Sequence, residues 1–552
     1  MEEKSKLSNT FKFSIIAVIL IAIFCIAISP VTLQNDTYYT VKIGEHIQNY
    51  GIDMKDPFSW HENLAYTYPH WLYDLLTFKI FSHFGFEGIY VATVILSCVL
   101  GISLYFVSSK ICKNSVVAFF VTVGALYLVK DYIAARAQLV TFILFIFTIF
   151  FIEKFLEKKK IGYAIGLVGI SALIANLHVA VWPFMFVLFL PYIGEWFIAV
   201  LGDFIIYRKL KKFKLNFDIK HSKNKVKVEK YKDELSKLNE KLEKIKIKRT
   251  KNLKNPYKIK IERNKNVKWL ILVMIICVLM GFATPLGDTP FTYLMKTMQG
   301  NTTHNINEHL PMTLSSFPYI LCAIVIFLSI ITFTKTKIKL RDLFMIGGLT
   351  YLMLTSRRQL SMFSIVGCII LSRLIVSMIE TYDKELLDKM KKFILKPFPV
   401  IIILMLMTWI SYDNCKNKFK QKIVDEKTYP VAACDYILNN IDLGKAKFYN
   451  EYNYGSYMLY RGIPVFIDSR ADLYAPEFSG LKDDIFMDFI DVSNIGTFYE
   501  DVFSKYNITH AIMYKNAKIS MIIDKTQDKN YKKIYSDDNF VIYERVNANK
   551  GE

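Results

Sequence analysis

Apolar residues in this chain come in long blocks rather than in alternation. Segments 13–30, 88–107, 116–130, 138–153, 162–176, 179–207, 268–285, 317–334, 342–355, 359–379 and 396–411 are rich in Ile, Leu, Val, Phe and Ala. A bilayer core needs roughly 20 apolar residues in helical form. Backbone in lipid must satisfy its own hydrogen bonds, so these blocks predict about eleven membrane-spanning helices. The clearest are Phe13 to Pro30, Gly88 to Val107 and Trp269 to Pro285. The first reads as a retained anchor, because it is longer than a signal-peptide core and lacks a small-x-small cleavage site.

The connections alternate in charge. The amino terminus (Lys4, Lys6, Lys12), the loop with Lys110 and Lys113, the run Lys154 to Lys160, and the stretches Arg208 to Lys268, Lys335 to Arg341 and Lys384 to Lys396 are basic. Crossing each span in turn puts them all on one side, which the positive-inside rule makes the cytoplasm. The expectation is a multi-pass plasma-membrane protein with a cytoplasmic amino terminus and an extracytoplasmic tail. Four units follow: an N-terminal bundle 1–207 with an external loop 31–87, a Lys-rich cytoplasmic insert 208–267, a second bundle 268–411, and a soluble α/β domain 412–552. In the insert, Leu235, Leu238, Leu242 and Ile245 follow the 3-4-3 spacing of an amphipathic helix. In the tail, short β-type runs (Lys447 to Tyr449, Val465 to Ile467, Ala511 to Tyr514, Phe540 to Tyr543) alternate with helical patterns such as Ala432 to Leu438.

Composition changes little. The formal charge of +21 is carried by loops rather than by a nucleic-acid face, since no aromatic platform interleaves the lysines. The eight cysteines form no CxxC, and only Cys415 and Cys434, both in the predicted external region, are placed to pair.

Chemistry concentrates on the predicted outer side. The loop 31–87 is too long for a connector and carries Trp and Tyr suited to interfacial helices. Asp36 sits just past the first span, which suits a proton acceptor; the bland reading is an N-cap for a helix starting near Tyr38. His70 and Asp74 share a helix face at i, i+4, as a metal pair or, more simply, as a hydrogen-bonded pair. Arg136, Asn176, His178, Glu308, His309, Arg357 and Arg358 fall at outer span ends or in outer loops. Ionisable groups at membrane depth are costly and usually serve a purpose. Three arginines on one face suit an anionic ligand such as a phosphate.

An ordered set of motifs carries a resemblance. Asp36-Thr37-Tyr38-Tyr39, Gly44-Glu45, Asp56-Pro57-Phe58-Ser59, His70-Trp71-Leu72, Ala135-Arg136-Ala137-Gln138, Ala175-Asn176-Leu177-His178, Thr284-Pro285-Leu286-Gly287, Asn307-Glu308-His309, Ser356-Arg357-Arg358-Gln359, Asn450 to Gly455 and Phe466 to Tyr474 follow one another along the chain. With these the chain resembles the GT-C superfamily of polytopic glycosyltransferases, in particular a prokaryotic branch of it. The resemblance spans nearly everything except 208–267. It implies a mainly α, GT-C-like helical bundle with a long first external loop and a C-terminal soluble α/β domain. It implies sugar transfer from a polyprenyl-phosphate-linked donor to a glycan, lipid or protein acceptor at the extracytoplasmic face, with Asp36 as base. Arg357 and Arg358 would meet the donor phosphate with Arg136 behind them; His70, Asp74, Asn176, His178 and Glu308 would line the site. There are departures. The branch's Asp-Leu-Trp-Trp-His becomes Asp36-Thr37-Tyr38-Tyr39-Thr40, so its His is missing; Ala137 replaces a Pro; and no DxD stands at Asp36. No cofactor is assigned, and a divalent cation is left open. Two alternatives stay open: a non-catalytic scaffold of GT-C shape, and a transporter or flippase of a lipid-linked or anionic solute. In the tail, Asp468, Arg470 and Asp472 read as a salt-bridged turn, with an interaction patch as the alternative.

Overall fold

The computed structural model describes residues 9–201, 205–222, 224–252, 258–313, 318–416 and 418–546. Lys4, Lys6 and the side chain of Ile245 lie outside the described residues.

The chain forms helices α1 (Asn9–Ile28), α2 (Asn35–Tyr50), α3 (Trp71–Cys112), α4 (Ser115–Val129), α5 (Ala137–Lys158), α6 (Ile161–Leu177), α7 (Trp182–Val187) and α8 (Leu190–Leu201). There follow α9 (Ile205–His221), α10 (Lys225–Asn252), α11 (Val267–Leu279), α12 (Thr289–Gln299), α13 (Thr302–Asn305) and α14 (Pro318–Phe333). The bundle closes with α15 (Leu340–Thr355), α16 (Leu360–Tyr382), α17 (Leu386–Ile394) and α18 (Pro397–Cys415). Within the described residues each of the eleven apolar blocks is helical over most of its length. Among the described residues seven stretches are long and apolar enough to cross a membrane, and three more, at α6, α11 and α14, are apolar but shorter. The remaining block, α15, falls outside both groups; its first turn carries Arg341 and Asp342. The bundle is apolar on both sides: Ala17, Ile21 and Phe24 of α1 are buried while Ile15, Ile19 and Ile23 are exposed. Large exposed apolar faces are tolerated where the surrounding medium is hydrocarbon. The chain is a multi-pass membrane protein.

One break sits where the first long loop meets the bundle. Within α3, Gly85 takes φ 63° and ψ −158°, a conformation essentially reserved for glycine. It separates an interfacial piece, Trp71 to Phe84, from the spanning piece.

The tail is a small α/β domain. Counting β1 (Ile259–Lys260) and β2 (Ile338–Lys339), a two-residue parallel pair in the bundle, its strands are β3 (Phe448–Tyr449), β4 (His510–Tyr514), β5 (Tyr531–Ser536) and β6 (Phe540–Arg545). The sheet order is β3-β4-β6-β5, with β3 parallel to β4 and the rest antiparallel. Helices α19 (Val431–Asn440), α20 (Tyr452–Tyr460), α21 (Pro476–Ser479), α22 (Ile485–Asn494), α23 (Tyr499–Lys505) and α24 (Lys518–Thr526) pack around it. Val465 to Ile467 does not form a strand. Its peptide groups pair with the Asn450 side chain, which donates to Ile467 O at 2.7 Å and accepts from Phe466 N at 2.8 Å. Cys415 and Cys434 are both free thiols.

Two apolar cores exist. One fills the bundle; the other runs from α2 and Leu64, Tyr66 and Tyr68 into the tail. Tyr38 is fully buried against Phe86, Tyr429 and Tyr457 at ring separations of 5.5, 4.9 and 5.1 Å. Charge completes that joint: Arg470 meets Asp56 and Asp468, both at 2.7 Å and all three buried. Burial would push the Asp56 carboxyl up, but the Arg470 guanidinium outweighs it and holds it below the usual range. The salt-bridged turn therefore joins Asp468 and Arg470 to the first loop and leaves out Asp472.

At the other end of the bundle the basic connectors gather, and a second buried ionic cluster appears. Arg341 contacts Glu195 at 3.1 Å, Glu262 at 3.0 Å and Glu153 at 3.5 Å, and Arg373 contacts Glu153 at 2.9 Å and also pairs with Asp342. It ties α5, α8, α15 and α16 together. Nearby, α9 and α10 form a hairpin in which Leu215 and Leu238 are buried.

Removing one partner of a buried pair strands the other's charge. Arg470→Ala is expected to cost roughly 3–5 kcal/mol and to lower the thermal midpoint of the full chain in detergent. Because the folded Asp56 carboxyl lies below its unfolded value, this contribution is present above about pH 4 and fades as pH falls through the folded value. An Arg470→Ala midpoint equal to wild type at neutral pH would show the joint carries no stability. Gly44 supplies a second check. A Cβ there would come within 2.2 Å of Asp74 O and 2.5 Å of Phe78 Cβ, so Gly44→Ala is expected to push α2 off α3 and lower the midpoint in the same assay. An unchanged midpoint would contradict that packing.

Candidate active site

The site is built from helix ends. Asn35 and Asp36 open α2, and Asn35 Nδ2 donates to Tyr452 O at 2.8 Å, pinning this end to α20. Gln34, not Asp36, occupies the N-cap position. The Asp36 carboxylate instead faces Arg136, the residue preceding α5, whose Nε lies 2.8 Å from Asp36 Oδ2. The same guanidinium reaches Glu308 with Nη1 at 3.1 and 3.3 Å from its two oxygens. One arginine thus bridges two carboxylates from distant parts of the chain. Burial raises the Glu308 carboxyl, but Arg136 and Arg358 outweigh it and hold it below its usual range.

The loop bearing Glu308 is fastened to the turn between α15 and α16. Arg358 N donates to Glu308 O at 2.9 Å and Arg357 N to Leu310 O at 3.0 Å. Arg357 and Arg358 lie in a 3₁₀ turn, where consecutive side chains diverge by about 120°. Among the described residues neither forms an ion pair.

These groups surround a cavity of about 1250 Å³ between the bundle and the tail. Asp36, Arg136, His70, His178, Glu308 and Arg358 all line it. Three of the expected residues do not. Arg357 borders a separate, neighbouring cavity, because the turn sends it away from Arg358. Asp74 is fully buried beneath the chamber, with His70 Nδ1 3.8 Å from its carboxylate. Asn176 is consumed by structure: it accepts from Trp71 Nε1 at 3.1 Å and donates to Ala172 O and Ala283 O at 2.8 and 2.9 Å.

Two of the chamber histidines, His178 and His309, are held in the neutral form. Burial, with the charges of His70 and Arg358 adding to it, pushes His178 well below its usual value. The Thr141 hydroxyl donates to Ala137 O, so His178 Nδ1 carries the hydrogen in its 3.1 Å contact with that hydroxyl. His309 is lowered to about 4 by burial and by Arg358.

The tail adds two acidic residues that the sequence had not assigned to the site. Asp472 lines the chamber and accepts from Tyr293 Oη at 2.7 Å and Thr302 Oγ1 at 3.1 Å. Burial raises its carboxyl even so. Glu451, beside aromatic Tyr449, Tyr452 and Phe486, also faces the chamber. Burial pushes it from 4.5 to about 7, partly opposed by a hydrogen bond from Tyr514 N. The available signal was alternation: in Asp468, Arg470 and Asp472 every second residue is charged, yet only the fold tells which face is interior.

Among the described residues, no group of three or more His, Cys, Asp or Glu side chains converges to hold a metal ion. Between Asp36 and Glu308 the bridging cation is Arg136. The donor set does not fit the divalent cation left open from the sequence, and no step below runs through one.

No protein-family model matches the chain, and no curated protein does. Solved structures do. The archaeal oligosaccharyltransferase AglB from Archaeoglobus fulgidus, in complex with an inhibitory peptide and a dolichol-phosphate, is 12% identical, covers 91% of this chain and 69% of its own, and superposes with a TM-score of 0.53. The chain thus shares the fold of that oligosaccharyltransferase.

Since the Glu451 carboxyl is raised in the fold, its stabilising share is complete below its unfolded value and lost as pH rises through about 7. Glu451→Gln is expected to raise the thermal midpoint at pH values above 7 and to leave it nearly unchanged near pH 4. Equal midpoints on both sides of pH 7 would place Glu451 in water.

Proposed function

We propose that this protein is a membrane glycosyltransferase that moves a sugar from a polyprenyl-phosphate-linked donor to an acceptor hydroxyl at the extracytoplasmic face. The observation that carries this reading is the chamber itself: Asp36 stands on one wall, the unpaired Arg358 on another, and Arg136 ties Asp36 to Glu308. The GT-C-type fold agrees with it.

In this reading Asp36 takes the proton of the acceptor hydroxyl as its oxygen attacks the anomeric carbon. The bond from that carbon to the phosphate oxygen breaks, and the phosphate leaves as an anion that Arg358 neutralises. Attack opposite the leaving group inverts the anomeric centre. Asp472 and Glu451, with the aromatic side chains beside them, form the wall against which an acceptor would lie. The basic end of the bundle is assigned to the cytoplasm by the charge rule, which puts the tail outside. A transporter would need a polar route through the bundle. The buried ion pairs of the bundle instead cluster at its two ends, and Phe142, Ile146 and Val366 lie in the apolar core between them.

Asp36→Asn, in membranes with unchanged protein level, is expected to abolish transfer of a labelled sugar from a polyprenyl phosphate; full transfer would remove Asp36 from the chemistry. Arg358→Ala is expected to weaken donor binding about tenfold, the loss of roughly one charge-assisted contact. Unchanged donor affinity would move the phosphate elsewhere.

A further inference from the structure

The Arg136–Glu308 ion pair is a wall between two cavities. On one side is the chamber. On the other lies a cavity of about 520 Å³, and Arg136, Gln138, Asn307 and Glu308 line both. The adjacent arginines of the 3₁₀ turn divide between them: Arg358 lines the chamber and Arg357 the second cavity.

The second cavity opens beside an exposed apolar helix face. Its rim includes Tyr127 at the end of α4 and Tyr319 at the start of α14, with ring centres 5.5 Å apart. Tyr319 is exposed, and beyond it Leu321, Val325 and Leu328 of α14 are exposed as well. Tyrosines at the ends of apolar helices mark the headgroup level. Lys130 Nζ sits 4.4 Å over the Tyr127 ring. Arg357 is held by its backbone and by a 3.3 Å hydrogen bond from Nε to Pro311 O, and among the described residues it forms no ion pair. Three cations, Lys130, Arg136 and Arg357, thus line the cavity against two carboxylates, Asp131 and Glu308. Glu308 is already spent on Arg136.

We propose that this second cavity is a membrane-side port for a lipid-borne phosphate, held by Lys130 and Arg357, and that the Arg136–Glu308 pair is a latch which this phosphate opens. Calling the ligand a sugar donor rests on the glycosyltransferase reading; the port and the latch do not. The physical basis is competition. Phosphate oxygens and the Glu308 carboxylate both attract the Arg136 guanidinium, and a phosphate beside it weakens the 3.1 Å contact with Glu308. A phosphate in the port draws Arg136 toward it and repels Glu308, opening the wall between the cavities. The headgroup then spans from Arg357 to Arg358 while the isoprenoid stays in lipid. The backbone bond from Arg358 N to Glu308 O keeps the latch and the arginine turn moving as one unit.

The test uses the full chain in phosphatidylcholine nanodiscs, with binding of undecaprenyl phosphate read by native mass spectrometry. Uncharged undecaprenol, inorganic phosphate and phosphatidylglycerol are the comparison ligands. Undecaprenyl phosphate is expected to bind at least tenfold more tightly than all three. Arg357→Ala and Lys130→Ala are each expected to weaken it about tenfold. Glu308→Gln is expected to tighten it severalfold, because Arg136 is freed and a repelling charge removed. A merely structural Glu308 would give the opposite sign. Equal binding of phosphatidylglycerol, affinity unaffected by Arg357→Ala and Lys130→Ala, or weaker binding in Glu308→Gln would each overturn the proposal. Transfer activity is not part of the readout. A chain that binds as described but never transfers sugar would keep the port and refute the enzyme; one that transfers without latch behaviour would do the reverse.

Discussion

One guanidinium organises the functional end of this molecule. Arg136 touches the first turn of α2 and the loop before α14, and it belongs to the segment that starts α5. These pieces lie far apart in sequence, and this one side chain links all three. The arrangement has a physical cost, since an arginine so enclosed loses hydration, and the two carboxylates repay it. Two acids close together repel unless a cation lies between them. Here the cation is part of the chain. The geometry of Asp36 is therefore set by Arg136, and the state of Arg136 by whatever competes with Glu308.

The same logic appears twice more, with different results. At the opposite end of the bundle, Arg341 and Arg373 are enclosed among Glu153, Glu195, Glu262 and Asp342, and every charge has a partner. At the joint of the first loop and the tail, Arg470 is enclosed by Asp56 and Asp468. Those clusters are closed and read as fasteners. The chamber is different because it is left incomplete: among the described residues Arg357 and Arg358 form no ion pair, although carboxylates line both cavities. Unpaired arginines beside paired ones distinguish a binding surface from a clamp.

Much of the fold was legible because lipid enforces it. A backbone with no water must become helix, so long apolar blocks announce themselves, and the ends of those blocks put Asp36, Arg136 and His178 near one level. What hydropathy does not encode was harder. Gly85 hides the interfacial start of α3 inside what reads as one span. Strand β5 was missed because Tyr531 to Ser536 breaks its alternation at a bulge between Lys533 and Tyr535. Val465 to Ile467 reads as a strand, but it pairs with the Asn450 side chain and a single bridge to Ser59 of the first loop instead of a partner strand. Within the site, Arg357 and Arg358 look equivalent as letters; only the tight turn separates them. Asn176 and Asp74 have the right chemistry at the right height, yet one is saturated by backbone and the other is sealed below the chamber. Asp472 and Glu451 could not be placed until the tail was seen folded over the bundle.

The central claim is spatial: a phosphate-bearing lipid meets Asp36 in the chamber that Arg136 organises. The most direct measurement is a cryo-electron microscopy map of the full chain in nanodiscs supplied with a polyprenyl-phosphate sugar. The account predicts headgroup density between the Arg357–Arg358 turn and Asp36, with the sugar under the tail domain and the isoprenoid leaving past Tyr319. Density for that headgroup at the opposite end of the bundle, or a chamber left empty while the lipid binds elsewhere, would contradict it.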